Sequence, residues 1–182
     1  MFLSTGLILF GFINVSQCLL YNKSVDLMTD VLSGYNTRQR PVLEQSDTLN
    51  VSVSFFVASI RELDEVAGKF SIVGVVTTTW RDEIVNWTPR NYDGALKIDL
   101  KLSDIWYPKL VLMNPYYKMI DLGQDWMMLS VTYEGDTIFQ PISIFESTCD
   151  VDVTYYPYDT QVRVFRVLQL RYNKTDIRAN KF

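Results

Sequence analysis

Residues 149–159 read Cys149-Asp-Val-Asp-Val-Thr-Tyr-Tyr156-Pro157-Tyr-Asp159. Apolar Val151 and Val153 alternate with polar neighbours and lead into an aromatic–proline step. Proline fixes φ, so Pro157 between two tyrosines is a good way to set a loop tip. Three carboxylates, Asp150, Asp152 and Asp159, raise the question of calcium. An EF-hand loop requires a glycine and a terminal glutamate at fixed offsets, and this stretch has neither.

The other cysteine, Cys18, lies at the end of an apolar N-terminal run. Residues 1–18 read as a secretory signal peptide, with Ser16 and Cys18 at −3 and −1 to a cut before Leu19. The run is too short to span a bilayer easily as an uncleaved anchor. Cleavage leaves Cys149 as a lone cysteine, which cannot form an internal bridge. It is a free thiol or the remnant of a lost pair. Four sequons begin at Asn22, Asn50, Asn86 and Asn173. Together with a leader they point to a glycosylated secretory product.

The expected mature chain, 19–182, is one domain of about 160 residues, enough for a sizeable core. Hydrophobic residues make up 48% and aromatics 14%, which argues against disorder. The net charge is −4 without a basic cluster, so nucleic acid is not an expected partner. There is no histidine, which removes His-based metal sites and His-dependent triads. No phosphate-cradling glycine loop is present. An enzyme is not expected, nor a cofactor.

Val25, Leu27, Met28, Val31 and Leu32 predict one apolar face of a short helix, stopped by Gly34. Arg40-Pro41-Val42 reads as an extended linker. Period-two alternation follows. Leu49, Val51, Val53 and Phe55 alternate with Asn50, Ser52 and Ser54. Leu96, Ile98, Leu100 and Leu102 alternate with Lys97, Asp99 and Lys101. Val73 to Thr79 is mostly β-branched and reads as a strand. Leu129–Tyr133 and Thr137–Gln140 flank Glu134-Gly135-Asp136 and predict a hairpin. Val162–Leu170 is a further strand. Many short strands after one helix predict a mainly β chain: an N-terminal helix followed by an antiparallel, immunoglobulin-like β-sandwich.

Five stretches carry a family resemblance, one of them Arg40-Pro41-Val42, which resembles the linker after the family's N-terminal helix. The 149–159 stretch resembles the signature loop of the Cys-loop neurotransmitter-gated channels, Cys-x-φ-x-φ-x-x-aromatic-Pro-x-Asp-x-x-x-Cys, with Arg163 at the second cysteine. Trp80-Arg-Asp82-Glu-Ile-Val-Asn-Trp87 resembles that family's Trp-x-Asp-x-x-Leu-x-Trp. Trp106-Tyr-Pro108-Lys109-Leu-Val-Leu-Met113-Asn114 resembles Trp-x-Pro-Asp-φ-x-Leu-x-Asn, with Lys109 for the usual Asp. Leu63-Asp64-Glu65 resembles its Val-Asp-Glu turn. The resemblance covers about 40–170 and implies the ligand-binding domain of a nicotinic acetylcholine receptor-like channel subunit. By it, the chain lacks the domain's last strands and all membrane spans.

It further implies siblings in a pentamer, a small neurotransmitter at subunit interfaces, and attachment to the plasma membrane through a transmembrane domain. The domain itself would be extracellular, or secreted if the chain ends at Phe182. Trp80, Trp87 and Trp106 are expected to pack the sandwich, and Asp82 to hold a turn or an internal hydrogen bond. Asp64 and Glu65, with Tyr156, Pro157 and Asp159, fall on the loops that couple to the membrane domain. Three positions that carry aromatics around a cationic agonist in the acetylcholine-binding branch are Val75, Met113 and Leu170. An aliphatic side chain in place of a ring forgoes a cation–π attraction of roughly 0.5–2 kcal/mol, so a competent amine pocket of its own is not expected. Ser130, Ile138 and Gln140 fall where the complementary face contributes. Arg163 removes a disulfide closing a loop of about 15 residues, worth roughly 3 kcal/mol. A soluble acetylcholine-binding-protein-like pentamer and a non-functional truncated product are the alternatives.

Overall fold

The computed structural model describes residues 19–119, 121–148, 167–169 and 177–179. The leader at 1–18, Cys149, Tyr156, Pro157, Asp159, Arg163, Leu170 and Asn173 lie outside the described residues. The chain opens with α1 (Tyr21–Leu32). Leu27 is fully buried, and Met28, Val31 and Leu32 pack against the same cluster. Val25 does not join this face and is 44% exposed. At about 100° per residue it stands within about 20° of half-buried Leu32, at the N-terminal edge of the packed stripe. Gly34 takes a left-handed φ of 76° and turns the chain, as its position predicts.

The strands are β1 (Leu49–Asp64), β2 (Lys69–Arg81), β3 (Lys97–Lys101), β4 (Leu110–Leu112), β5 (Met128–Thr132), β6 (Asp136–Phe139), β7 (Ile142–Thr148), β8 (Val167–Gln169) and β9 (Ile177–Ala179). The main sheet runs β3-β5-β6-β2-β1-β9, antiparallel except for the β1–β9 pair. β7 continues along the edge of β2 that β6 occupies higher up. The break falls at Pro141, whose carbonyl still accepts from Val76 N at 3.2 Å. β4 and β8 form a second, two-stranded antiparallel sheet. Leu110 of β4 packs against Ile72, Val76 and Phe145 of the main sheet, which makes the two layers one mainly β sandwich.

β1 runs nine residues beyond the alternating stretch that announces it. Register shifts between Val57 and Ser59 and between Ile60 and Glu62 break the period there. β7 carries no inward apolar alternation. Its outward residues are Ile142, Ile144 and Glu146, whereas Ser143, Phe145 and Ser147 face inward. Leu96 precedes β3 and is 51% exposed, so it does not extend the inward row of Ile98, Leu100 and Leu102.

The larger core cluster joins α1 to Trp80, Val85, Trp87 and Trp106. Trp80 and Trp106 meet edge to face at 5.9 Å, and Trp87 Nε1 donates to Ala95 O at 2.8 Å. Beneath them lies Asp82, fully buried. Its Oδ1 accepts from Ile84 N at 2.9 Å and Val85 N at 3.1 Å, closing the turn after β2. Its Oδ2 accepts from the Tyr35 hydroxyl at 2.6 Å, just beyond α1. The same hydroxyl accepts from Trp106 N at 3.3 Å. Burial raises the Asp82 carboxyl above its ordinary value, although its three hydrogen bonds pull the other way. Burial, the Asp82 charge and their hydrogen bond push the Tyr35 phenol well above its usual range.

The β5–β6 hairpin presses on this turn. Asp82 N donates to Gly135 O at 2.8 Å. Gly135 has φ 87°, and a Cβ there would come within 2.0 Å of Asp82 O.

Tyr35→Phe strands a buried carboxylate oxygen and should cost about 1–3 kcal/mol in urea unfolding. Gly135→Ala combines a left-handed backbone with a clash against main chain. It should cost about 3 kcal/mol or more, or block folding. An acid whose folded value is raised loses stability as pH rises from 3.8 through that value. Wild type should therefore lose stability relative to Asp82→Asn across that window, read from denaturation midpoints at successive pH values.

Candidate ligand-binding face

The sequence-predicted positions fall on two separate parts of the sandwich. Alternation along β2 sends Ile72, Val76, Thr78 and Trp80 into the core and Val73, Val75, Thr77 and Thr79 outward. Cross-strand partners share a side, so the outward row continues from Thr79 to Ile138, then Ser130, then Asp99. The Ser130 hydroxyl donates to Asp99 Oδ1. One step along the strand, Gln140 Nε2 donates to Thr77 Oγ1 at 3.1 Å. Val75, Ser130, Ile138 and Gln140 therefore occupy one exposed face. It is built of hydroxyls, one amide, branched aliphatics and the Asp99 carboxylate.

Met113 is elsewhere. It follows β4 and is 49% exposed. The next residues run beside the outer edge of β7: Thr148 N donates to Asn114 O at 3.2 Å, and Tyr116 N to Glu146 O at 2.9 Å. Val75 pairs with Ile142, at the opposite end of β7. Six residues of strand separate those ends, about 20 Å. Met113 and Val75 thus do not meet within one chain. Leu170 lies outside the described residues.

Asp64 and Glu65 open the β1–β2 turn. Asp64 Oδ1 accepts from Val66 N at 3.0 Å and Ala67 N at 2.9 Å, and Gly68 completes the turn with φ 61°. Glu65 is exposed, and Val66 at the tip is fully exposed. Sequence reasoning missed the residue that anchors this turn, Lys69. Its Nζ reaches Glu62 Oε2 of β1 at 2.8 Å and Glu146 Oε1 of β7 at 3.1 Å. It also stands 5.7 Å from the Tyr116 ring and 6.0 Å from the Tyr117 ring. The hydrogen bonds to Glu62 and then Glu146 raise its pKa further. A lone lysine in the sequence carries no sign of two acids that lie 7 residues before it and far downstream.

Lys109, at the position where the family has an aspartate, lies 3.8 Å from Asp121 Oδ2 and 5.4 Å from the Tyr107 ring. Burial raises the Tyr107 phenol most, and Asp121 adds to it. Asn22, Asn50 and Asn86 are all exposed. An apolar cleft of about 220 Å³ lies between Leu112, Leu122, Ile144 and Phe145, and a more polar one of about 260 Å³ lies between Arg38, Trp106, Lys109 and Asp125. Neither Val75 nor Met113 lines these clefts. Among the described residues no group of His, Cys, Asp or Glu is disposed to hold a metal. No helix among them is long and apolar enough to cross a membrane.

Comparison with known proteins fits this architecture. The profile of the neurotransmitter-gated ion-channel ligand binding domain matches residues 24–181. Acetylcholine receptor subunit alpha-1-B of Xenopus laevis is 34% identical over 135 residues, 74% of this chain and 29% of that protein. Acetylcholine receptor subunit beta of Rattus norvegicus is 29% identical over the same share of this chain and 27% of its own length. Acetylcholine receptor subunit alpha-type acr-15 of Caenorhabditis elegans is 28% identical over 157 residues, 86% of this chain and 33% of that protein. The chain spans about a third or less of these relatives. The matched profile, the helix-then-sandwich order and the Trp80–Trp106–Asp82 core agree: the chain belongs to the neurotransmitter-gated ion-channel ligand-binding domain family, as a nicotinic-receptor-like member.

Proposed function

We propose that this chain is the extracellular ligand-binding part of a nicotinic acetylcholine receptor-like channel subunit, and that it serves a shared ligand site from its complementary face. The observation that carries this reading is the division of the predicted positions. Val75, Ser130, Ile138 and Gln140 lie together on one open sheet face, while Met113 sits alone at the far end of β7. A site assembled from two such chains would take that face from one and the Met113 region from its neighbour. Met113 brings no aromatic ring to a cation, so the chain is a poor principal partner. Its outward sheet face is open to a neighbour, although Val75 brings no aromatic ring there either.

On this reading the chain traverses the secretory pathway and assembles with sibling subunits in a pentamer. It sits on the extracellular side of the plasma membrane and carries glycans at Asn22, Asn50, Asn86 or Asn173. The Asp64–Glu65 turn, braced by Lys69, would meet the membrane domain together with Tyr156, Pro157 and Asp159. Cys149 opposite Arg163 leaves the signature loop without its disulfide. No chemistry is performed on the ligand. Binding energy at the interface is spent on shifting a conformational equilibrium.

The test is expression of the full-length protein in oocytes, alone and with a nicotinic partner that has tyrosine at the position of Met113. Alone, the protein should give no acetylcholine-evoked current at millimolar agonist. Together, the two should give a current whose EC50 differs from that of the partner alone, with both subunits labelled at the surface. A robust acetylcholine current from this chain alone, or normal surface delivery without any effect on partner pharmacology, would contradict the reading.

A further inference from the structure

The more polar of the two clefts, about 260 Å³, draws three charged residues from three separate segments: Arg38, Lys109 and Asp125. Arg38 lies on the turn after α1, Lys109 on the approach to β4, and Asp125 on the approach to β5. Buried Trp106 and half-buried Tyr107 line the same cleft.

The two cations are poorly matched by the acids around them. The Arg38 backbone N donates to Asn36 Oδ1 at 3.0 Å, but among the described residues its guanidinium makes no hydrogen bond or ion pair. Lys109 reaches Asp121 Oδ2 only at 3.8 Å, the loose end of an ion pair. The other oxygen of that carboxylate already accepts from Gly123 N at 3.0 Å. Asp125 shares the cleft with both cations and, among the described residues, pairs with neither. The cleft is the polar space left between them.

An arginine fork matches a carboxylate with two parallel N–H···O bonds, and a lysine adds a point charge. The Tyr107 phenol supplies a neutral donor. Burial above all, with Asp121 and Asp125, holds its pKa above the usual value, so it keeps its proton at neutral pH. Charge then selects among anions. Two lining cations against one lining carboxylate leave one positive charge unmatched. A doubly charged sulfate or phosphate would bring its second charge toward Asp125, whereas a monocarboxylate would not.

We propose that this cleft binds a small monocarboxylate, seated on Arg38 and Lys109 with its apolar part against Trp106 and Tyr107. None of Val75, Ser130, Ile138 or Gln140 lines the cleft, so the site stands apart from the complementary-face reading above.

The test is a fluorine NMR titration of the purified full-length protein with para-fluorobenzoate at constant ionic strength, with acetate and sulfate as competitors. Wild type should broaden the fluorine line saturably, with a Kd of about 1–10 mM, and acetate should compete better than sulfate. Arg38→Gln removes a guanidinium with no polar partner among the described residues, so the fold should survive. Its affinity for para-fluorobenzoate should fall by about 10-fold or more. Lys109→Asp reverses one charge in the cleft and should abolish saturation. Asp125→Asn should strengthen sulfate more than para-fluorobenzoate. Lys118→Gln removes a cation that does not line this cleft and should change nothing. Equal affinity in wild type and Arg38→Gln, an equal loss in Lys118→Gln, or no saturable binding to wild type by about 50 mM would overturn the proposal.

Discussion

The fold turns on one buried carboxylate. Asp82 makes no ion pair among the described residues, yet it is fully removed from solvent. Its stability there comes from three donors: two main-chain amides of its own turn and the Tyr35 hydroxyl. These donors solve separate problems of assembly. The amides close the turn that carries the chain from β2 to Trp87. Tyr35 fixes the exit of α1 against the sheet and, by accepting from Trp106 N, holds the segment that leads into β4. Gly135 brings the β5–β6 hairpin onto the same turn through main chain alone. Helix, central strand, hairpin and second layer thus share one polar point inside an otherwise apolar cluster. A buried charge is costly unless every lone pair is used, so this point tolerates a single arrangement of its neighbours.

What Asp82 fixes at one end, β2 transmits along its length. β2 borders β1 on one edge and β6 followed by β7 on the other. Its alternation separates the core from the outward face. The register set at Trp80 and Thr79 decides that Val75 stands between Phe56 and Ile142, several residues further along the strand. At the other end Lys69 ties β1, β2 and β7 together above the Asp64–Glu65 turn. The proposed ligand face and the turn therefore sit on one continuous strand.

Much of this was legible in the residues. The alternation at 49–55 and 96–102, the Glu134-Gly135-Asp136 hairpin and the Gly34 stop each state their structure locally. The second half of β1 was not legible, because bulges after Val57 and Ile60 scramble the period. β7 was hidden because two of its outward residues are isoleucines and two of its three inward residues are serines, the inverse of the usual pattern. Val25 and Leu96 look like core from spacing alone, but each falls just off the buried stripe. The contacts that matter most join residues far apart in sequence. Tyr35 and Asp82 are 47 positions apart. The pairing of Val75 with Ile142 follows only once the register is known, since a one-residue slip would turn one of them inward. The candidate site was therefore readable as separate positions, and their grouping on one face was not.

The central claim is that the outward face of β2 is where this chain meets ligand and neighbour. Cryo-electron microscopy of the full-length receptor, assembled with its partner in the presence of acetylcholine, tests it most directly. Ligand density between the outward β2 face of this chain and the adjacent subunit would bear it out. Ligand seated beside Met113 of this chain, with the β2 face open to solvent, would contradict it.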